Sequence, residues 1–245
     1  MAPKLNNLVF ILILFYSVAG ISQEGTTQKA NNYKADSSFL KFNALRFSVA
    51  KAQINLLKKE GVLLVRLKTN ANTINRLKNA GNIDLATQVE RETYLNNKAI
   101  VRAYNKEFNF CPVYFFYSNY SDSVKHKKLD NIFVDSTLSV NPSIVCNASF
   151  YLIAEQGFIY ESSLGIVSES QAPYAIEKGI ASKEMAIVVK NRYFIQLHKP
   201  FPYYQAGYSI KKYGEFVKKF NKELQSFYTK NSSYVMPPEI KEFVY

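Results

Sequence analysis

Apolar residues return along this chain at two spacings, one that indicates helices and one that indicates buried strands. From Ser38 onward they recur every three or four positions, which places them on one stripe of a helix that ends at Lys59, before Gly61. The stripe is formed by Phe42, Leu45, Val49, Ala52 and Leu56. Residues 62–67 then form a short run rich in valine and leucine, which predicts a strand buried on both faces.

The next segment predicts two helices and a second strand. A short helix over 73–80 stops at Gly81, and Asp84 can cap a longer helix that continues to Phe108. The aromatic run over 112–117 then predicts another strand. A strand, a helical connection and a second strand in this order indicate two parallel neighbours in one sheet.

The second half predicts a helical piece over 124–129, shorter strands and one long closing helix. The strands are expected over 132–135, 150–154 and 158–160, and a later hairpin pairs 185–189 with 193–197. Gln156 and Gly157 form a predicted turn, and residues 161–182 form an excursion on the surface. The closing helix carries its apolar stripe at Tyr213, Val217, Phe220, Leu224 and Phe227.

This order of elements predicts an α/β fold in which helices flank a mixed β-sheet. A parallel start, an antiparallel hairpin and a terminal helix follow the thioredoxin-like order of elements, which we favour. The alternative is a doubly wound α/β sandwich. We expect a single domain over 38–232 and a C-terminal tail over 233–245.

Residues 1–22 have the features of a secretory signal peptide. Lys4 precedes a short apolar run that begins at Leu8, and small residues lead to a predicted cut after Ser22. The run is shorter than the ~20 apolar residues that cross a bilayer, so we expect an exported mature chain without a transmembrane span, periplasmic or extracellular. The alternative is an uncleaved membrane anchor. Residues 23–37 are polar and patternless, which predicts a flexible leader.

The charge of the chain limits the class of partner. The formal net charge is +12, and basic residues are concentrated in 41–130 and 181–245, whereas 131–180 holds Lys178 against five acidic residues. A positive field favours polyanionic partners such as envelope polymers or lipid head groups. The alternative is that the lysines only solvate helix faces. Aromatic residues make up 15% of the chain, without Trp, so rings of Phe and Tyr are expected to fill the core and the surface grooves.

The two cysteines, Cys111 and Cys146, each precede a predicted strand. If those strands are parallel neighbours, the two sulfur atoms meet at one sheet edge, and an oxidising compartment then favours a structural disulfide. A redox site is one alternative, although the chain has no Cys-x-x-Cys motif. Two buried free thiols are the other.

Motifs for catalysis, metals and cofactors are absent from the sequence. The two histidines, His126 and His198, have no His or Cys partner at the three- or four-residue spacing that zinc sites use. Glycine-rich phosphate loops and Gly-x-Ser-x-Gly are absent as well. We therefore expect no metal, no cofactor and no catalytic residue, although a Ser-His-Asp arrangement assembled in space stays open.

Two segments are candidates for ligand binding. The first is the polar loop after the strand over 112–117, because ligands of α/β folds bind beyond the carboxyl ends of strands. Its candidates are Ser118, Asn119, Ser121 and Asp122, although the start of a helix explains the same residues. The second lies over 198–204, where two prolines and three rings can form a rigid aromatic ledge for a sugar, peptide or lipid. Its candidates are His198, Phe201, Tyr203 and Tyr204, although rings this dense often pack under a loop.

Several blocks of the chain resemble uncharacterised exported proteins of Bacteroidota-type bacteria, over most of residues 40–230. These blocks are Gly61–Leu67, Cys111–Ser118, Phe194–Leu197 and Pro200–Tyr204. The resemblance implies a location in the cell envelope and no assigned activity. Export, the net positive charge, the aromatic segment and the lack of catalytic motifs predict an exported binding or accessory protein without catalysis, whose partner is an anionic polymer, lipid head groups or a protein complex. Export argues against a nucleic-acid partner. The alternatives are a redox or hydrolytic enzyme on a thioredoxin-like scaffold, and an accessory subunit of an outer-membrane secretion complex.

Overall fold

Six strands form one mixed sheet at the centre of the fold. The structure is a computed structural model that describes residues 37–160, 181–207 and 209–244. The strands are β1 (Gly61–Leu67), β2 (Val113–Tyr117), β3 (Phe133–Val134), β4 (Phe150–Tyr160), β5 (Ala181–Lys190) and β6 (Tyr204–Ala206). Their order in the sheet is β3, β2, β1, β4, β5, β6. Strand β1 runs parallel to both β2 and β4, and the remaining pairs are antiparallel.

The helices connect these strands at junctions that the sequence makes tight. They are α1 (Ser37–Lys59), α2 (Ala71–Asn79), α3 (Ile83–Glu107), α4 (Ser121–Lys125), α5 (Tyr213–Asn231) and α6 (Lys241–Val244). Between α1 and β1, a Cβ atom on Gly61 would lie 2.8 Å from the Cα of Leu57, so this close turn requires glycine. Gly81 separates α2 from α3 with a φ of 76°, a conformation that glycine adopts without strain.

The long helices α1, α3 and α5 pack together on one face of the sheet. Ile54 from α1, Tyr104 from α3 and Phe220 from α5 are fully buried there, in one cluster with the face of β1 that carries Leu63 and Val65. The opposite face of β1 packs in a smaller cluster with α4 and the loops that follow it. Among the described residues the long helices thus share one face and the short α4 packs on the other, whereas a doubly wound sandwich has helical layers on both faces.

The predicted fold class is confirmed. A six-stranded mixed sheet is flanked by helices, and a parallel pair, an antiparallel pair and a long C-terminal helix follow one another in the predicted order. Strand β4 adds to the free edge of β1 in parallel, so three parallel strands occupy the middle of the sheet. The run of valine and leucine in β1 has its cause here, because that strand is covered on both faces and paired on both edges.

The predicted turn at Gln156 and Gly157 is wrong. Both residues continue β4, where they pair with Ile187 and Ala186 of β5. The long-range pairing along β5 overrides the local preference of glycine for a turn.

The predicted hairpin after Met185 is also wrong in its second strand. Strand β5 pairs with β4 and β6, and the segment over 193–197 keeps a single bridge, from Lys190 to Gln196. The reason lies in Asn191, whose side-chain oxygen accepts hydrogen bonds from the N–H groups of Tyr193 and Ile195, each at 3.0 Å. These bonds close a compact turn in place of a strand.

The structure describes the C-terminal end of the chain but not the predicted signal peptide. Within the predicted tail over 233–245, Ile240 and Val244 are buried and join the main core, so this segment packs on the domain. The predicted signal peptide and leader lie outside the described residues apart from Ser37, which begins α1, and residues 161–180 of the predicted excursion lie outside them as well. No helix in the described part of the chain is long and apolar enough to cross a bilayer.

The burial of the C-terminal segment can be tested by replacing Ile240 with Ala. We expect the free energy of unfolding to fall by about 2–4 kcal/mol, because a buried side chain is removed and a cavity remains. Denaturant titration followed by circular dichroism measures the loss. The control is Phe243→Ala in the same helical segment, where the ring is 53% exposed and the change should stay within about 1 kcal/mol. Equal stability of the two variants would contradict the packing of this segment.

Candidate functional site

The loops after β1 and β2 meet at the carboxyl ends of these parallel strands. Leu67 and Tyr117 stand opposite each other at the end of the shared register, so the next residues of both strands are brought together. The Ser118 hydroxyl oxygen accepts a hydrogen bond from the N–H of Thr69 at 3.2 Å and lies 3.1 Å from the Thr69 hydroxyl. The Ser121 hydroxyl donates to the carbonyl of Ser118 at 2.6 Å. These bonds fix the two loops against each other.

A cluster of three charged side chains lies under these loops and links β1, β4 and β5. Arg66 donates from Nε to the Ser121 hydroxyl at 2.9 Å and from Nη1 to Glu155 Oε2 at 2.8 Å. The ammonium group of Lys190 contacts the other oxygen of the same carboxylate. The Glu155 side chain is 2% exposed, so the carboxylate is held inside the protein by two cations.

The charge state of this carboxylate follows from competing effects. Burial raises the pKa of Glu155, whereas the charges of Lys190 and Arg66 and their hydrogen bonds lower it. The second group of effects prevails, and the pKa of Glu155 lies below its usual value. Glu155 is therefore ionised at neutral pH, and the cluster is a true ionic link between three strands.

The predicted site residues of the polar loop, Ser118 to Asp122, occupy different places in the structure. Ser118 and Asn119 line a polar crevice of about 410 Å³ with Arg66. The hydroxyl of Ser121 is already engaged by Arg66, and the exposed carboxylate of Asp122 stands in the first turn of α4. Sequence reasoning did not predict the charged cluster. A signal was present, because Arg66 and Glu155 are charged residues within the otherwise apolar runs of β1 and β4.

The second predicted segment lines a larger cleft between α1, α5 and β6. This cleft has a volume of about 770 Å³, which is in the range of ligand pockets. Its walls are residues 199–206, Arg46 and Phe47 of α1, and Glu223 of α5. We call it the aromatic cleft. Sequence reasoning missed the contribution of α1, which lies more than 150 residues before the aromatic segment.

The four predicted residues of this segment differ in their access to the cleft. Phe201 is buried in the core and packs edge-on against Phe227, with the ring centres 6.0 Å apart. Tyr203 is 8% exposed and lies between His198 and Tyr204, with ring centres 6.0 Å and 4.8 Å away. Burial, together with the nearby charge of Arg46, lowers the pKa of His198. Tyr204 is half-buried, and the exposed Phe47 of α1 adds the most accessible ring.

The backbone of β6, which lines the cleft, has N–H and C=O groups that do not pair with β5. Val189 of β5 donates its N–H to the carbonyl of Tyr203 at 2.7 Å, and Val188 stands opposite Tyr204. Because hydrogen-bonded pairs alternate along an antiparallel ladder, Tyr204 and Ala206 direct their N–H and C=O groups away from β5. Among the described residues β6 is the last strand on this side of the sheet. This edge of the cleft can therefore accept another strand.

The charges around the aromatic cleft favour a ligand that carries a negatively charged group. Arg46 donates from Nη2 to the carbonyl of Lys199 at 3.0 Å, which places both cations at the same wall. Glu223 lies in the same lining, and burial raises the pKa of its carboxyl. The wall that Arg46 and Lys199 form thus provides the stronger charge.

The two predicted segments do not form one site. Phe116 just before the polar loop and Tyr204 in the cleft stand in one row across the sheet, with β1, β4 and β5 between them. Four strand spacings correspond to about 19 Å. The polar crevice and the aromatic cleft are therefore separate surfaces.

The structure does not support the predicted disulfide, and both cysteines are free. Cys111 precedes β2 and Cys146 precedes β4, and β1 lies between these strands. Two strand spacings are about 9.5 Å, more than a disulfide can bridge. The side chains also pack against different faces of the sheet. Burial raises the pKa of Cys111 to about 12 and also raises the pKa of Cys146.

Comparison with models of protein families, with curated proteins and with solved structures finds no match to this chain. The resemblance to exported proteins of Bacteroidota-type bacteria therefore stays a prediction.

The ionic link can be tested by replacing Glu155 with Gln. We expect the free energy of unfolding at neutral pH to fall by about 3–5 kcal/mol, because two nearly buried cations lose their shared carboxylate. The folded pKa of Glu155 lies below the ordinary value of 4.5, so the link stabilises the protein above that pH and is lost as the pH falls through the folded pKa. Wild-type stability should therefore decline more steeply in acid than that of the variant.

The control for this prediction is Glu90→Gln, which removes an exposed partner of Lys78. This change should cost at most about 1 kcal/mol, because exposed ion pairs contribute little. Urea titrations over a series of pH values measure both variants. A neutral-pH loss for Glu155→Gln no larger than that for Glu90→Gln would show that the link does not stabilise the sheet.

Proposed function

We propose that this protein is an exported binding protein of the cell envelope that captures an extended, acidic segment of a partner protein without catalysing a reaction. The observation that carries the proposal is the aromatic cleft, which is lined by rings, by two cations and by β6, the edge strand of the sheet among the described residues. Export is supported by the signal-like order of charge, apolar run and small residues over 1–22.

Main-chain pairing provides the first part of the recognition. A peptide that lies beside β6 can exchange hydrogen bonds with the outward groups of Tyr204 and Ala206. The Ala206 carbonyl accepts the side-chain amide of Gln205 at 3.0 Å, and a peptide N–H would replace this contact. Strand addition of this kind gives affinity without demanding a particular sequence.

Side chains of the cleft provide the selectivity. Alternate residues of an extended peptide point to the same side, so apolar residues of the ligand can contact the rings of Phe47 and Tyr204. An acidic residue of the ligand can contact Lys199, which is exposed at the wall of the cleft. The expected ligand therefore alternates apolar residues and carries at least one Asp or Glu.

The alternative of a redox enzyme receives less support. Thiol exchange requires a thiolate, and the raised pKa values of Cys111 and Cys146 keep both groups protonated at neutral pH. Their placement on opposite sides of β1 also separates the two sulfur atoms. An accessory role in a secretion complex is compatible with peptide capture, because the captured segment can belong to a subunit of such a complex.

Selection from a phage-displayed library of random linear peptides tests the proposal. We expect enriched peptides with alternating apolar residues and an acidic residue. For the strongest synthetic peptide, fluorescence polarisation should show that Phe47→Ala weakens binding by about tenfold or more, the effect of losing a central aromatic contact. Ala206→Pro should weaken it as well, because proline removes an outward N–H and leaves the pairing with β5 intact.

The matched control is Phe243→Ala, which removes an equally exposed ring outside the cleft and should leave the affinity unchanged. Thermal unfolding verifies that each variant is folded. Peptides that bind wild type and Phe47→Ala equally, or selected sequences without acidic residues, would contradict the proposed site.

A further inference from the structure

A third concave surface lies between the C-terminal half of α3 and the start of α5. It has a volume of about 430 Å³. Its floor is made of the small residues Ala99, Ala103 and Gly214. Because these side chains are short, the longer residues around them form the walls of a groove. We call this surface the α3 groove.

The walls of the α3 groove are basic. Lys98, Arg102 and Lys106 follow one another at four-residue steps along α3, all exposed to solvent, and Lys211 stands on the opposite side. Four residues advance a helix by about 6 Å, so the three cations form a row along its axis. The only acidic residue in the lining is Glu107, with its Oε1 3.4 Å from the Nζ of Lys106. The groove keeps a clear excess of positive charge.

A row of exposed cations suits a linear polymer better than a single anion. Each exposed ion pair contributes little by itself, because water and salt screen it. A chain that carries a negative charge on each unit can contact the whole row, and after the first contact the others form at high effective concentration. The excess of basic residues over the whole chain, +12, adds a long-range attraction of the same sign.

The rings around the groove argue against a nucleic-acid ligand. Proteins that bind single-stranded nucleic acids place exposed aromatic rings along a basic groove, where the bases stack. In the α3 groove the lining ring, Tyr213, is 3% exposed. The neighbouring ring of Tyr94 is 48% exposed but lies outside the lining of the groove, and the ammonium group of Lys98 is 5.6 Å from its centre. The groove therefore offers charge and a smooth floor, which fits a polymer without bases.

We infer that the α3 groove binds a linear acidic polysaccharide through Lys98, Arg102, Lys106 and Lys211. The carboxylates of successive sugar units contact the row of cations, and the sugar rings lie over the alanine and glycine floor. This site goes beyond the peptide site proposed above and shares none of its lining residues.

Affinity electrophoresis and calorimetry with polygalacturonate test the inference. The full chain should bind polygalacturonate and not neutral dextran, and binding should weaken as salt rises. The triple variant Lys98→Gln, Arg102→Gln, Lys106→Gln should lose roughly tenfold in affinity, because three ion pairs are removed. The matched control is Lys125→Gln, Lys127→Gln, Lys128→Gln, which removes the same charge from another exposed region and should retain most of the affinity.

Four results would overturn the inference. They are no binding of wild type to polygalacturonate, equal loss in the two triple variants, no loss in the α3 variant, and tighter binding of single-stranded oligo(dT) than of polygalacturonate. Equal loss would show a response to net charge, and the last result would assign the groove to nucleic acid. Phe47→Ala should leave polygalacturonate binding unchanged, so failure of the peptide site and failure of this site are measured separately.

Discussion

Strand β1 pairs in parallel with β2 on one edge and with β4 on the other, and the positions of the remaining elements follow from this double pairing. Its two faces are both covered, so the apolar run over 62–65 is buried wherever its side chains point. Arg66 is the exception, and it is stabilised by Glu155 on the neighbouring strand. Residues of β1 at its carboxyl end thus connect the hydrophobic centre of the sheet to the polar loops above it.

The long helices α1, α3 and α5 of the described residues lie on one face of the sheet, and this divides the surface into two different halves. On the helical face, the gaps between neighbouring helices and the sheet edge form concave surfaces, namely the aromatic cleft and the α3 groove. On the other face, short elements and loops pack directly on the sheet around Val124 and Phe133. Both surfaces that we assign to partners therefore result from how α1, α3 and α5 pack.

The predictable part of this fold was the part that a local pattern encodes. The closing helix could be found because Tyr213, Val217 and Phe220 repeat at helical spacing, and the structure buries all three. Strand neighbours could not be found in this way, because pairing is a long-range property. The disulfide prediction failed for this reason: Cys111 and Cys146 do precede parallel strands, but β1 lies between those strands.

For the aromatic cleft too, local sequence patterns predicted one part and long-range contacts determine the rest. The aromatic segment over 198–204 could be recognised from its own residues, and part of it does line a cleft. Burial of rings in this segment was one of the two alternatives, but which ring is buried could not be predicted, because the packing of Phe201 depends on Phe227 of a later helix. Nor could the role of Arg46 be predicted, because its contact with Lys199 joins residues that are 153 positions apart. A sequence motif can thus indicate a wall of a site, whereas the opposite wall depends on tertiary packing.

Helix α5 contributes to both proposed binding surfaces, and this determines how they can work together. Gly214 lies in the floor of the α3 groove and Glu223 in the wall of the aromatic cleft. These residues are about 14 Å apart along the helix axis, far enough for a polymer and a peptide to occupy the protein at once. The helix between them is buried against the core through Val217 and Phe220, so the two surfaces keep a fixed separation. A protein with both surfaces would therefore hold a partner protein close to an acidic polymer.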